Sequence, residues 1–186
     1  MCFAVASCIS NLPAICCSEN PAQCISRKSS LNSSYRYNFL SSTSITDPQA
    51  ESLSKVSDSL ALIGLTSITD EQAEILSKVE YLYLNGLRLI TDQQAEILSN
   101  RSSLELNGLR LITDQQAESL SKVEDLYLNG LTSITDQQAE ILSKTGGLHL
   151  YGLTSITDKQ AESLSKMKYL GISEACQKLI DKYKKP

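Results

Sequence analysis

The sequence repeats itself every 22 residues from about residue 37 onward, and this repeat constrains the fold more than any other feature. The segment LNGLRLITDQQAE occurs identically at residues 84–96 and 106–118. A period between about 20 and 50 residues is typical of solenoids, in which each unit buries its apolar face against its neighbours. Six Thr-Asp pairs mark the units, beginning at Thr46, Thr69, Thr91, Thr113, Thr135 and Thr157.

Each unit opens with a short alternating segment within the pattern L-x-L-x-G-L-x-x-I-T-D-x-Q-A-E-x-L-S-K. Leucines two residues apart point to the same side of an extended chain, so the L-x-L part predicts a strand with its leucines in the core. Tyr37 and Phe39 occupy the equivalent places in an opening unit. We expect the glycine after each strand, as at Gly108, to supply permissive backbone angles. The predicted inward pairs are Leu60/Leu62, Leu82/Leu84, Leu104/Leu106, Leu126/Leu128, Leu148/Leu150 and Leu170/Ile172.

The second half of each unit predicts a short helix. Thr is followed three residues later by Gln in all six units, for example Thr113 and Gln116. This spacing is a capping box, in which the two side chains satisfy backbone N–H groups at the helix start. The Asp after each Thr then lies in the first turn, where its charge favours the positive end of the helix dipole. A cation site built from the stacked Asp residues is the alternative interpretation.

Glutamate and lysine four residues apart predict ion pairs along the exposed side of the helices. The third unit lacks this pair because Asn100 replaces the lysine, and Arg101 replaces the Val found at positions 79 and 123. We therefore expect this junction to be the loosest. The predicted pairs are Glu51/Lys55, Glu74/Lys78, Glu118/Lys122, Glu140/Lys144 and Glu162/Lys166.

The pattern L-x-x-I-T-D-x-x-A-x-x-L resembles the leucine-rich repeat family over residues 37–175. More narrowly, it is similar to the cysteine-containing subclass of that family, with Leu at positions 87, 109, 131 and 153 where the subclass has Cys. The resemblance implies a curved α/β solenoid of about six strand-turn-helix units, with a concave parallel sheet and convex helices. A ubiquitin-ligase substrate-receptor-like adaptor is a further association of the subclass, but no F-box-like segment precedes the repeats.

The two ends of the chain differ from the repeats. Residues 1–36 form a Cys-rich, Ser-rich segment, which we interpret as disordered or as a targeting segment. Five of the six cysteines lie there, and their spacing favours free thiols over disulfides, a metal site or lipid attachment. Residues 173–186 predict a capping helix with a basic tail, in which Cys176 is a small buried apolar residue.

Composition and motifs argue against several functional classes. The net charge of −4 does not indicate nucleic-acid binding, and no apolar run is long enough for a transmembrane helix. No P-loop, G-x-G-x-x-G or H-E-x-x-H motif is present, and His149 has no nucleophile placed by a recognisable motif. We therefore expect a monomer without cofactor, metal or enzymatic activity. A cytoplasmic location is favoured, with secretion or membrane tethering as the alternative if residues 1–25 act as a targeting segment.

The outward strand positions vary while the leucine frame does not, and they are rich in Tyr and Asn. Tyr offers a large contact area with few rotamers to freeze, so these positions predict a surface that binds a protein or peptide partner. The alternatives are neutral variation on an exposed sheet and, for the whole protein, an exported or lipid-anchored effector or surface protein. The predicted partner-binding residues are Tyr81, Tyr83, Asn85, Glu105, Asn107, Asp125, Tyr127, Asn129, His149, Tyr151 and Tyr169.

Overall fold

A computed structural model describes residues 26–28, 36–38, 42–55 and 58–184, and it confirms an α/β solenoid. Its strands form one sheet in chain order, β1 to β8, in which β1 pairs antiparallel with β2 and every later neighbour is parallel. The predicted features of residues 1–25, including their cysteines, lie outside the described residues. The strands are β1 Ser26–Lys28, β2 Arg36–Asn38, β3 Ser59–Ala61, β4 Tyr81–Tyr83, β5 Ser103–Glu105, β6 Asp125–Tyr127, β7 Gly147–Leu150 and β8 Tyr169–Ile172. The helices are α1 Asp47–Ser54, α2 Asp70–Leu76, α3 Asp92–Ile97, α4 Asp114–Leu120, α5 Asp136–Leu142, α6 Asp158–Leu164 and α7 Glu174–Tyr183.

The strand register follows the sequence repeat. Leu104 of β5 pairs with Leu82 on one side and with Leu126 on the other, each 22 residues away. The opening unit is also in register, because Tyr37 pairs with Leu60. Phe39 lies outside the described residues. Equivalent residues of consecutive units therefore lie side by side across the sheet, and every substitution between units changes one position in a continuous column.

The apolar core runs between the sheet and the helices through all the units. The inward strand leucines are buried from Leu60 to Leu150, as the alternation predicted, while Leu170 in the last repeat strand is partly buried. Each of the helices α1 to α6 adds an alanine to the core, such as Ala117, which is fully buried. An alanine allows the helix to approach the sheet closely. The helices of the repeats contain six to eight residues, so their stability depends on this packing rather than on helix propensity.

The predicted capping boxes form at the helix starts. In α4, the Thr113 hydroxyl accepts from the Gln116 backbone N–H at 3.0 Å, and the Gln116 side-chain oxygen accepts from the Thr113 N–H at 3.0 Å. The helices α2, α3, α5 and α6 have the same pair of bonds. In α1, the Gln49 side chain accepts from the Thr46 N–H at 2.9 Å.

The predicted column of Glu–Lys pairs is wrong for most of the helices. Among the described residues, Glu51 and Lys55 form an ion pair at 3.6 Å, with both side chains largely exposed. The other helices end before the lysine is reached; α2, for example, is capped by Ser77, and Lys78 follows the cap. The side chains of a helical pair therefore do not lie one above the other at these positions. An exposed pair such as Glu51–Lys55 contributes little to stability.

The capping glutamines also connect each unit to the unit before it. The Gln116 side chain is buried, and its Nε2 donates to the backbone oxygen of Ile90 at 2.9 Å. Sequence reasoning assigned this residue only its local capping role. A glutamate can complete a capping box as well as a glutamine can, but only the amide has N–H groups to donate. The corresponding bonds are Gln72 to Ile45, Gln94 to Ile68, Gln138 to Ile112 and Gln160 to Ile134, at 2.8 to 2.9 Å.

The repeat glycines serve close packing rather than unusual backbone angles, so the expected reason for them is wrong. None of the glycines from Gly86 to Gly152 that follow the strands has the positive φ that favours glycine. A Cβ atom at Gly108 would instead lie 2.3 Å from the Leu87 oxygen and 2.5 Å from the Asn85 oxygen, both in the preceding unit. Neighbouring units approach so closely at this turn that no side chain fits between their backbones.

The last helix covers the end of the solenoid. In α7, Cys176 and Ile180 are buried, and Leu179 and Tyr183 pack against the core. Cys176 is a free thiol, and its predicted role as a small buried apolar residue is confirmed. Lys182 extends from this helix to the Asp158 carboxylate at the start of α6, with 2.9 Å between the charged atoms. The helix α7 therefore continues the column of helices, although its sequence differs from that of the repeat helices.

We expect Gln116→Glu to lower the free energy of unfolding by about 1–3 kcal/mol. The carboxylate still completes the capping box, but it loses the bond to Ile90 and places an acceptor against a backbone oxygen. Chemical denaturation followed by circular dichroism measures the change. Gln115→Glu is the matched control, because Gln115 is the exposed neighbour in the same helix turn. Equal stability of the two variants would contradict a connecting role for Gln116.

Candidate functional site

The outward positions of the repeat strands, together with the next alternate position after each strand, form a surface that we call the open sheet face. The inward leucines are buried, so the residues between them point to the other side of the sheet. All eleven residues predicted to bind a partner belong to this face. It consists of three columns: Ser59, Tyr81, Ser103, Asp125, Gly147 and Tyr169; Ala61, Tyr83, Glu105, Tyr127, His149 and Gly171; and Ile63, Asn85, Asn107, Asn129, Tyr151 and Ser173.

The exposure of this face is uneven. Tyr81, Tyr151 and Tyr169 are exposed over 40%, 57% and 61% of their surface, whereas Tyr83 and Tyr127 are half-buried. A large aromatic side chain that stays in contact with water is available to a partner at little cost in rearrangement. The exposed tyrosines lie towards the two ends of the face, and the half-buried residues lie between them.

Three aromatic side chains in the units of β6 and β7 form a group that we call the stack. The rings of Tyr127 and His149 are parallel, with centroids 4.0 Å apart and an interplanar angle of 1°. Tyr151 continues the group at 6.0 Å from His149, tilted by 38°. The strand position of His149 predicts an exposed side chain, but the side chain is half-buried in this stack. The strand alternation predicted its direction but not its neighbours.

Gly171 makes room for this stack in the next strand. A Cβ atom there would lie 2.6 Å from Nδ1 of His149 and 2.8 Å from the Tyr151 hydroxyl oxygen. Gly147 has the same relation to Asp125, whose Oδ1 would be 2.5 Å from an added Cβ atom. Sequence reasoning passed over both glycines. The sequence shows each of them as an outward position without a side chain, next to a larger residue of the same column.

Asp125 binds two members of the stack. Its Oδ2 accepts from the Tyr127 hydroxyl at 2.9 Å, and its Oδ1 lies 3.3 Å from Nε2 of His149. Burial raises the pKa of Tyr127 to about 12, and the bond to Asp125 and the negative charges of Asp125 and Glu105 act in the same direction. Tyr127 is therefore a neutral hydrogen-bond donor with a fixed orientation at physiological pH.

The asparagines of the third column hold the strand ends together. The Asn85 side-chain oxygen accepts from the backbone N–H of Asn107 at 3.1 Å, and the Asn107 oxygen accepts from the N–H of Asn129 at 2.9 Å. The Asn129 oxygen continues the row to the N–H of Tyr151 at 3.0 Å. We therefore assign the three asparagines a structural role. Their signal in the sequence is constancy, because one residue type recurs in three units while the other columns vary.

The charges on the open sheet face are acidic. Glu105 and Asp125 belong to it, and none of its eighteen positions is Lys or Arg. Glu105 is held in place by Asn85, whose Nδ2 donates to its carboxylate at 2.8 Å. At the last strand the Lys168 ammonium lies over the Tyr169 ring, with 4.8 Å between Nζ and the ring centroid. Around Glu105 and Asp125, where no position of the face is Lys or Arg, the potential is negative. Such a surface favours cationic groups.

Two further observations concern other kinds of site. Within residues 42–55 and 58–184, no three His, Cys, Asp or Glu side chains gather closely enough to hold a metal ion. No helix in the described part of the chain is both long and apolar enough to cross a membrane.

No protein-family model matches the sequence, and a search of curated proteins also finds no match. The function must therefore be argued from the contacts of this chain itself.

We expect Tyr127 to ionise at about pH 12, well above the ordinary tyrosine value of 10.0. A phenol with a raised pKa in the folded state favours folding below its unfolded pKa, and this contribution is lost as the pH rises from about 10 to about 12. Absorbance at 295 nm reports the titration, and Tyr127→Phe identifies its component by difference. In Asp125→Asn the pKa should fall, because the variant removes the negative charge beside the hydroxyl. A Tyr127 component near pH 10 in the unaltered protein would contradict the observed contacts.

Proposed function

We propose that the chain is a non-enzymatic interaction module of the leucine-rich repeat type, which binds a protein or peptide partner on the open sheet face. The observation that carries the proposal is the group of tyrosines on positions that vary between otherwise near-identical units. The leucine columns and their 22-residue register support the relationship to leucine-rich repeats. Tyrosines are over-represented among the residues that dominate binding energies.

The aromatic stack supports the proposal because it is already ordered. Tyr127 is fixed by its hydrogen bond to Asp125 and by the parallel His149 ring. Immobilising a flexible side chain at an interface costs about 0.5–1.5 kcal/mol. A partner that contacts this stack avoids much of that cost, since the rings already occupy their positions in the free protein.

The charge of the face indicates the chemistry of the partner. Glu105 and Asp125 attract a cation, and the faces of Tyr83, Tyr127 and Tyr151 can contact it through their π systems. We infer that the partner presents an exposed segment with Lys or Arg residues. An extended basic peptide fits best, because its side chains can reach several columns at once.

A displayed library of random peptides tests this function without a known partner. We expect the selected peptides to be enriched in Lys and Arg, and Tyr83→Ala combined with Tyr127→Ala to weaken their binding at least tenfold in a calorimetric titration. Circular dichroism checks that the double variant remains folded. Glu118→Ala combined with Glu140→Ala is the matched control, because both glutamates are exposed on the helix side. Unchanged affinity in the tyrosine variant would remove the open sheet face as the binding site.

The acidic groups are tested with the same peptides. Glu105→Gln combined with Asp125→Asn should weaken binding and reduce its dependence on salt, because fewer charges then face the peptide. The control is Glu118→Gln combined with Glu140→Gln, which removes the same number of charges from the helix side. Equal losses in the two variants would mean that net charge, rather than the open sheet face, attracts the peptide.

A further inference from the structure

One arginine interrupts an otherwise uncharged column of the solenoid. The position two residues before each strand from β4 to β8 belongs to the loop that follows a helix. Its residues in successive units are Val79, Arg101, Val123, Thr145 and Met167. All five are buried, and Arg101 is only 8% exposed. Burial lowers the pKa of Arg101 to about 10, which shows how poorly this position suits a positive charge. The junction that the sequence predicted to be loosest is therefore filled by a long charged side chain.

The guanidinium of Arg101 is incompletely paired. Its Nε donates to the Leu98 oxygen at 2.6 Å, and its Nη1 donates to the Val79 oxygen at 3.1 Å. Its Nη2 is buried and has no hydrogen-bond partner among the described residues. A buried donor without an acceptor is costly, and a charged one more so. The two bonds that are made orient the guanidinium and leave both N–H groups of Nη2 without an acceptor among the described residues.

A cavity of about 500 Å³ opens where Arg101 lies. One side of its lining is a row of equivalent positions in three consecutive units, occupied by Lys78, Asn100 and Lys122. The two lysines and the shorter Asn100 between them are exposed, and Arg101 lines the cavity from behind this row with 8% of its surface exposed. This side of the cavity is therefore cationic, with the buried guanidinium behind the two lysines.

The other side of the cavity carries the opposite charge. Its row is Glu80, Ser102 and Glu124, again at equivalent positions of three consecutive units. The Ser102 hydroxyl donates to the Glu80 carboxylate at 2.8 Å, which holds that carboxylate beside the arginine unit. Arg101 lies between Asn100 and Ser102 in the chain, so one residue of each row is its direct neighbour in sequence.

We propose that this cavity binds a small zwitterionic ligand, with its carboxylate on the cationic row and Arg101 and its ammonium group on the acidic row. Arginine is the side chain best suited to a carboxylate, because its N–H groups match the two oxygens. A ligand with one charge of each sign complements both rows, whereas a simple anion leaves Glu80 and Glu124 unpaired. The cavity lies outside the open sheet face, so the ligand site is independent of the proposed partner.

Nuclear magnetic resonance of the full chain tests the site with glycine and 6-aminohexanoate as probes. At least one probe should shift the Arg101 Nε–H signal and the backbone amides of residues 100–102 saturably. Acetate and methylammonium, which each carry half of the charge pattern, should bind at least tenfold more weakly. Failure of both zwitterions to saturate these signals would overturn the proposal, and so would equal affinity for acetate.

Arg101→Val and Thr145→Val form a matched pair of variants. Thr145 lies in the same column and has the other buried side-chain atom without a partner in the described part of the chain, but it does not line the cavity. Both substitutions should raise the melting temperature, because valine already fills this column at two positions. Only Arg101→Val should abolish the saturable shifts of the amides. Binding that survives in Arg101→Val, or is lost equally in Thr145→Val, would overturn the proposal.

The acidic row has its own test. Glu80→Gln combined with Glu124→Gln should leave acetate binding at least as strong as in the unaltered protein and should remove the preference for the zwitterions. An unchanged preference would show that the ammonium group does not contact this row and would overturn the zwitterionic assignment.

Discussion

The solenoid depends on the bonds made by the glutamine at the start of each of the helices α2 to α6. Its oxygen closes the start of its own helix, and its amide nitrogen reaches a buried carbonyl of the preceding unit. Local and long-range structure are thereby fixed by one side chain. The bond also sets the distance between units, because the carbonyl must lie within hydrogen-bond reach. At that distance the backbones meet at the turn after the strand, where Gly108 and its counterparts are the residues that fit.

The features that the sequence predicts well are those encoded within one unit. The alternating leucines, the Thr–Gln capping boxes and the strand register depend on spacings along the chain, and the structure confirms them. The second bond of Gln116 and the close approach at Gly108 depend instead on the neighbouring unit, so reading one unit alone misses them. The Glu–Lys pairs were overpredicted because the pattern does not reveal that a helix such as α2 ends at Leu76, two residues before the lysine.

The open sheet face likewise has features that the sequence of one unit predicts and features that depend on neighbouring units. Alternation predicts which residues point outward, and it places all eleven predicted residues on one side of the sheet. It does not predict that Tyr127 and His149 stack in parallel, because ring orientation depends on side-chain torsions and on the space beside Gly171. Comparison of the units in the sequence already shows Arg101 in the place of a valine. Its incomplete hydrogen bonding becomes visible only with the positions of Leu98 and Val79.

The uniform register has a consequence for the possible sizes of such a protein. Each joint uses the same bonds between equivalent atoms, from Gln72 to Gln160. A whole unit can therefore be added or removed inside the array without creating a new kind of joint, and α7 can still cover the last one. Each added unit widens the sheet by one strand, or about 4.8 Å. The width of the open sheet face is thus adjustable in fixed steps, while the chemistry of each joint stays constant.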